Sequence, residues 1–308
     1  MSVNIPKKSL RAKLMKLYAI SDLHLETTIN REALLEIQTY PEDWLILGGD
    51  VCNTLERLEW AFEVLSPRFR QLLWVPGNHE LWLEGEGSTK LGGEAKYWRL
   101  IELCRQYHVL TPEDPYVPWP DPKYPCLLAP LFLLYDYTFR PDTIPREKAL
   151  AWAAESGIGC SDEYYLLSHP YPSKEAWCHQ RLLYTEKRLQ AVLGQAPLIV
   201  INHYPLRYDL VRLYRIPRFS LWCGTQATEN WHLRFSAAVV VSGHLHMRAT
   251  DYRDGVRFEE VSLGYAKHWD SRLPIDTYLR EIWPGPTTAY DNAGPFWRNV
   301  PPRAERKD

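Results

Sequence analysis

Five short stretches of this 308-residue chain end in side chains that bind divalent metals: Asp22-x-His24, Asp50 after Gly48-Gly49, Gly77-Asn78-His79-Glu80, Asn202-His203 and Gly243-His244-x-His246. Carboxylate, amide oxygen and imidazole suit hard and borderline divalent ions, whereas thiolates select softer ones. The set holds Asp22 and Asp50, the Asn78 amide, and, besides His79, the imidazoles of His24, His203, His244 and His246. That is enough for two ions if one carboxylate is shared, because paired ions in such sites sit roughly 3.5–4 Å apart. Each block alone has a plainer reading. Asp50 after two glycines suits a helix N-cap, Asn78 suits a left-handed turn, and a single His244 or His246 suits an ordinary packed or surface histidine. All of these readings would have to hold at once.

The elements that must position these residues are apolar runs. Trp44 to Leu47 ends in Gly48-Gly49-Asp50, the pattern of a fully buried strand that delivers a carboxylate at its C-terminal end. Residues 16–21, 71–76, 196–202 and 237–242 read as strands of the same design, and Cys126 to Leu134 as another. In α/β proteins, ligands gather at the carboxyl ends of strands, so five loaded ends point to one site. Helices are predicted around Arg31 to Gln38, from Leu55 to Leu65 (ended by Pro67), and over 95–107, 147–156 and 174–193. The order strand–helix–strand over residues 44–76 predicts parallel pairing with a right-handed crossover. Asp254-Gly255 marks a hairpin within 248–264. Residues 108–125, with six prolines, read as an irregular cover.

The formal net charge of −2 gives no global push towards nucleic acid or an anionic membrane. No apolar run approaches the length of a transmembrane helix. The six cysteines form no CxxC pair, which argues against a zinc ribbon or a dithiol redox site and fits reduced thiols in a cytoplasmic protein. Residues 1–15 lack the apolar core of a secretory signal and read as a flexible extension. Residues 16–283 read as one domain, with 204–235 an insert that caps the substrate side. The Pro- and Gly-rich tail, 284–308, is expected to wrap the surface or stay disordered.

The ordered set Asp22-x-His24, Gly49-Asp50, Gly77-Asn78-His79-Glu80, Asn202-His203 and Gly243-His244-x-His246 resembles the calcineurin-like metallophosphoesterase superfamily, over about residues 16–265. The resemblance implies a four-layer α/β/β/α sandwich with two mixed β-sheets packed face to face. It implies one metal on Asp22, His24, Asp50 and His246, and a second on Asp50, Asn78, His203 and His244, with Asp50 shared. Two cations would lower the pKa of a water between them and neutralise the phosphate oxygens, so that hydroxide attacks in line. His79 would then protonate or stabilise the leaving oxygen, its ring held by Glu80 or another carboxylate. Manganese is the first expectation for the metal; iron, nickel, cobalt and zinc suit the same ligands.

The implied activity is hydrolysis of a phosphate-ester substrate, with diesters slightly favoured. A phosphatase for monoesters, a nuclease and a non-catalytic metal-binding module on the same fold are the alternatives. A non-catalytic relative would be expected to lack a ligand or the histidine of Asn-His-Glu, and none is missing here. A lipid-precursor pyrophosphatase would, by the same resemblance, carry Arg in place of His79. Arg207, with Arg212, Arg215 and Arg218, could hold a second phosphate or a nucleotide, since guanidinium forks suit phosphate, and Tyr204 could stack on a ring. A solvated basic face and core aromatics are the plainer readings of these residues. The loops at 83–94, 135–145 and 204–235 are expected to form the pocket walls.

Overall fold

The computed structural model describes residues 14–87, 90–285 and 298–299. The predicted extension, but for Leu14 and Met15, lies outside the described residues. So does the tail, but for Pro284, Gly285 and the pair Arg298–Asn299.

The chain begins with β1 (Leu17–Ile20), α1 (Thr28–Leu35), β2 (Tyr40–Leu47), α2 (Leu55–Leu65), β3 (Phe69–Trp74), a single turn α3 (Asn78–Leu81) and α4 (Gly93–Gln106). Then come β4 (Val117–Pro118), β5 (Leu127–Pro130), α5 (Ala149–Ala154), α6 (Asp162–Tyr165), α7 (Lys174–Ala191), β6 (Leu198–Ile201), α8 (Trp231–Arg234) and β7 (Ala237–Ser242). The hairpin β8 (Ala249–Arg253) and β9 (Val256–Glu260), then β10 (Arg280–Trp283) and β11 (Arg298–Asn299), close the list. Local chemistry sets several boundaries. Thr54 caps α2 by accepting from the Arg57 amide at 3.2 Å, and Ser173 caps α7 by accepting from Ala176 at 3.2 Å. Asp254 and Gly255 both take positive φ, 53° and 80°, as a two-residue hairpin loop requires.

Two mixed sheets form, as expected. The first has the order β10-β1-β2-β3, with β1, β2 and β3 parallel and β10 antiparallel to β1. The second has the order β11-β8-β9-β7-β6-β5-β4, with β5, β6, β7 and β9 parallel at its centre. The period-2 alternation of each strand serves two cores. Leu17, Ala19, Trp44, Ile46, Leu73 and Ile282 of the first sheet share one buried cluster with Leu128, Ile199, Ile201, Val239 and Val241 of the second. The opposite faces, with Ile20, Leu45, Leu47, Leu72 and Trp74 on one sheet and Leu198, Val200 and Val240 on the other, share a cluster with the apolar faces of the helices. Burial on both faces explains why these strands read as unbroken apolar runs. Each buried branched side chain contributes about 1.5–3 kcal/mol.

The β10 strand was not anticipated. Its Arg280 is buried and meets Glu259 of β9 at 3.0 Å through both Nε and a terminal nitrogen, so a strand with a charged residue at its start still lies in the core. In the Pro-rich cover, Val117–Pro118 pairs on the edge of β5. Between the sheets, the Ser21 amide donates to the Val261 carbonyl at 3.1 Å and the Leu263 amide to the Ser21 carbonyl at 2.8 Å. These bonds bring the β1 end of the first sheet against the β7–β9 end of the second.

Candidate metal centre

All five strand ends converge. Ring and carboxylate atoms of Asp22, His24 and His246 lie within 4.8 Å of one another, as do those of Asp50, His203 and His244, and those of His24, Asp50 and His79. Asp50 therefore belongs to two groups. Asp22, His24, Asp50, His244 and His246 all hold positive φ, from 42° to 72°. Non-glycine residues in that region are strained by roughly 1–3 kcal/mol each, and such strain gathers at functional sites. Glycines make the approach feasible. A Cβ on Gly77 would collide with the Asp50 carboxylate, and one on Gly243 with the side chains of Ser21 and Asp22.

The hydrogen bonds aim the ligand atoms inward. The Oδ2 of Asp22 accepts from Ser21 Oγ at 2.6 Å, Ser262 Oγ at 2.7 Å and the His244 amide at 3.0 Å, which leaves Oδ1 for the centre. Asn78 donates its Nδ2 to Asp162 at 2.9 Å, so its Oδ1 turns in, buried and without a hydrogen-bond partner. His244 keeps a buried Nε2 without a hydrogen-bond partner, His203 Nε2 lies 3.4 Å from Asp50 Oδ2, and His246 Nε2 lies 2.9 Å from Asp22 Oδ1 and 3.1 Å from His24 Nε2. Carboxylate, amide and imidazole atoms are crowded together, and the Asn78 Oδ1 and His244 Nε2 among them have nothing to bond, so the residues present fit two divalent ions.

The electrostatics agree. Burial opposes ionisation of Asp22 and Asp50, yet the neighbouring histidines, His246 for the first and His203 for the second, hold both carboxyls well below the ordinary range. Burial opposes charging His203, yet Asp50 lifts it to about 10, and Asp22 likewise lifts His246. Two buried carboxylates thus demand positive charge beside them. Burial holds His24 and His244 down to about 3, the neutral form that ligates metals.

His79 sits at the rim of this cluster, with Nε2 3.9 Å from Asp50 Oδ2. Glu80 does not hold its ring. Glu80 instead accepts the backbone amides of Asp50 at 2.9 Å, Val51 at 2.8 Å and Gly77 at 2.9 Å, and so ties the two ligand loops together. Burial and the charge of Asp50 push Glu80 up to about 7. The His79 ring donates from Nδ1 to Asn53 Oδ1 at 2.8 Å and packs on Trp82 with ring centres 3.8 Å apart. A carboxylate partner was the expectation; the partner is an amide.

Four other neighbours escaped the sequence reading. Asp162 accepts from Trp82 Nε1 at 2.6 Å as well as from Asn78. His268 places Nδ1 3.0 Å from Nδ1 of His246, so one ring donates to the other. Tyr265 stacks on His24 at 4.2 Å. Asn53 completes the set. No spacing marks them, because the partners just named lie from 22 residues (His268 to His246) to 241 residues (Tyr265 to His24) away, although Asn53 falls three residues after Asp50 and Trp82 four after Asn78.

A cleft of about 650 Å³ opens above the centre. Its floor includes His24, Asp50, Asn78, His79, His244 and His246, and one wall is apolar, with Leu213, Ile216, Phe219, Leu245 and Met247. Of the three loops expected as walls, only 204–235 contributes, through Arg212 to Phe219; the others are 159–161 and 265–268. Two weak substrate candidates do not reach it. Tyr204 is buried, edge-on to His244 at 4.8 Å. Arg207 is spent on Asp209 at 2.9 Å, with Asp254 at 3.8 Å. Arg212 pairs with both oxygens of Asp251 at 2.6 Å and Arg218 with Glu155 at 3.0 Å. The basic face suggested by the insert is largely neutralised, by Asp209 within it and by Asp251, Asp254 and Glu155 from elsewhere in the chain.

This sandwich gathers acid, amide and imidazole side chains at five strand ends, in groups that could hold divalent metal, as a metal-dependent phosphoesterase requires. The profile of the calcineurin-like phosphoesterase family matches residues 15–248, and the chain belongs to that family. It is a phosphoric-ester hydrolase of the metal-dependent kind. It is 40% identical over 275 residues to the acyl-carrier-protein phosphodiesterase PptH of Mycobacterium tuberculosis, covering 89% of this chain and 85% of that protein. The crystal structure of the phosphopantetheinyl hydrolase PptH from the same organism superposes with a TM-score of 0.84 at 40% identity, covering 89% of this chain and 98% of that one. Among the described residues, no helix is long and apolar enough to cross a membrane.

Proposed function

We propose that this enzyme hydrolyses the phosphodiester that joins a phosphopantetheinyl arm to an acyl carrier protein. The cleft carries the reading. It is far larger than a phosphate needs, and its apolar wall of Leu213, Ile216, Phe219, Leu245 and Met247 suits a long, weakly polar arm. The exposed Arg215 and Lys267 stand at its edge, where a charged macromolecule would rest. The similarity to PptH supports the same substrate class. A nuclease reading loses its main support with the pairing of Arg207, Arg212 and Arg218.

In this reading Asp22, His24, Asp50 and His246 hold one divalent cation, and Asp50, Asn78, His203 and His244 hold the other, with manganese first among the candidates. When bound, such cations supply Lewis acidity and offset the charge of the phosphoryl group. The chain's own residues do the rest. Asp162 keeps the Asn78 oxygen turned in, and the Ser21–Ser262 pair fixes the Asp22 carboxylate. His79, with its Nδ1 proton committed to Asn53, presents Nε2 to the cleft; as the doubly protonated imidazolium it gives the Nε2 proton to the leaving oxygen and is left as the neutral ring with Nδ1–H. Water adds across the P–O bond, giving free phosphopantetheine and the unmodified carrier. Residues 16–283 act as one catalytic domain, with 204–235 as its substrate-side insert. The six unpaired cysteines fit a cytoplasmic enzyme.

The test uses metal-stripped protein reconstituted with Mn²⁺. Bis(p-nitrophenyl) phosphate, p-nitrophenyl phosphate and a phosphopantetheinylated carrier protein are offered in parallel, and carrier mass is read by mass spectrometry. Loss of the whole phosphopantetheinyl mass, with Asp50→Ala inactive, is the expected result. Turnover of the small diester with an untouched carrier would overturn the substrate and leave the reaction class standing. Near-normal turnover by Asp50→Ala with two metals bound would overturn the shared-ligand role.

A further inference from the structure

The amino group of Lys96 is buried and unused by the mechanism above. It lies in the first turn of α4 with a fully buried side chain, and burial lowers its pKa against the opposing pull of Glu84. A buried ammonium is costly unless its donors are met. Here Nζ donates to the main-chain carbonyl of Asn53 at 2.7 Å and to that of Trp82 at 2.5 Å, with Glu84 Oε2 at 3.2 Å. Asn53 and Trp82 are the two residues that hold the His79 ring, one by its Oδ1 on Nδ1 and one by its packed indole. They come from different loops, after β2 and after α3. The indole is pinned at its far side as well, by Asp162.

We propose that Lys96 is a positioning residue for His79: its ammonium joins the backbones of Asn53 and Trp82 so that the imidazole between them keeps Nε2 turned to the cleft. Glu84 supplies the compensating charge and, by accepting from the Leu55 amide at 3.2 Å, ties the start of α2 to the same point. The kinetic consequence rests on the leaving-group role of His79 given above. The positioning does not, and it is measurable without metal or substrate.

The experiment compares Lys96→Met with Leu100→Ala, a core truncation on the same helix whose side chain carries no hydrogen bond to Asn53 or Trp82. Metal-free protein labelled with ¹⁵N-histidine is used first, with the His79 ring signal assigned by its loss in His79→Gln. In the parent, the Nδ1 proton held by Asn53 gives a slowly exchanging resonance. Lys96→Met loses or broadens it, and Leu100→Ala retains it despite a lowered melting temperature. In Mn²⁺-loaded protein, Lys96→Met cuts turnover of an alkyl phosphodiester by about 10–100-fold, the scale of a small misplacement of a catalytic group, and cuts bis(p-nitrophenyl) phosphate turnover far less. A sharp His79 resonance in folded Lys96→Met overturns the proposal. A sharp resonance retained beside a changed ester ratio overturns it equally. If Lys96→Met does not fold, Glu84→Gln carries the comparison: a broadened resonance supports the proposal and an unchanged one overturns it. Loss of the resonance with both esters equally affected would retain the positioning and overturn the leaving-group role of His79 instead.

Discussion

Replacing Glu80 with alanine should loosen the metal centre without touching a ligand. One carboxylate, only 1% exposed, accepts the amides of Asp50, Val51 and Gly77. Alanine strands all three donors. A buried donor without a partner costs about 1–3 kcal/mol, and water entering the vacated space recovers part of the sum, so about 3–6 kcal/mol is lost. Glutamine is the instructive contrast. Its carbonyl can serve the Asp50 and Gly77 amides while only the Val51 amide is stranded. Being neutral, it also escapes the burial and the Asp50 repulsion that push Glu80 up to about 7. Its cost is therefore about 1–3 kcal/mol or less. Thermal melts of metal-free protein at constant pH rank parent, Gln and Ala in that order, with Ala lower by roughly 5–15 °C. Chelator competition then reads the centre, and the Ala variant should bind metal about 10–100-fold more weakly, as loss of a partner behind the ligands does elsewhere. An alanine variant as stable as the glutamine one would refute the claim that three amides converge on this carboxylate.

Two further outcomes test other parts of the molecule. His79→Ala should keep both metals, read by metal analysis, and lose about 10²–10⁴-fold in turnover of poor leaving groups; an equal loss for good and poor leaving groups would assign the ring to binding rather than proton delivery. Glu113 tests linkage far from the centre. Burial raises its pKa, but Arg181 at 2.8 Å, with Tyr97 and Tyr184, outweighs burial and lowers it. A lowered carboxyl stabilises the fold above the ordinary value near 4.5, and that stability is lost as pH falls through the folded value. Glu113→Gln should cost about 1–3 kcal/mol at pH 7, and its melting temperature should converge on the parent's in acid; a gap that stays constant with pH would contradict the assignment.

The strand ends were legible because their physics is local. A run such as Leu45-Ile46-Leu47 is buried on both faces, and the Gly-Gly-Asp that follows must turn the chain where a carboxylate is displayed. Both halves of that statement lie within seven residues. The helix from Leu55 to Leu65, with Pro67 after it, followed from the same kind of signal, whereas the packing of two sheets followed mostly from the resemblance. The β10 strand was not legible because its Arg280 is made tolerable in the core by Glu259, 21 residues earlier. The insert arginines misled in part for the same reason, since Asp251 lies 39 residues from Arg212, although Asp209 lies only two from Arg207. Arg207 and Arg212 look like a free basic face until Asp209, Asp251 and Asp254 are placed beside them.

The same distinction separates the two tiers of the centre. The candidate metal-binding side chains sit on tight turns at strand ends, so their identity and spacing survive as motifs. The groups behind them are free to come from any element that packs nearby. Asp162 reaches Asn78 across 84 residues, and Lys96 reaches Asn53 across 43. Even Glu80, inside a recognised block, serves backbone amides of another loop rather than the neighbouring ring. A carboxylate that bonds main chain is insensitive to the side chains at the positions it contacts, which is why no pairing of residue types reveals it. The ligands are therefore readable as a list, and the rigidity that makes the list a site is readable only from the packed structure.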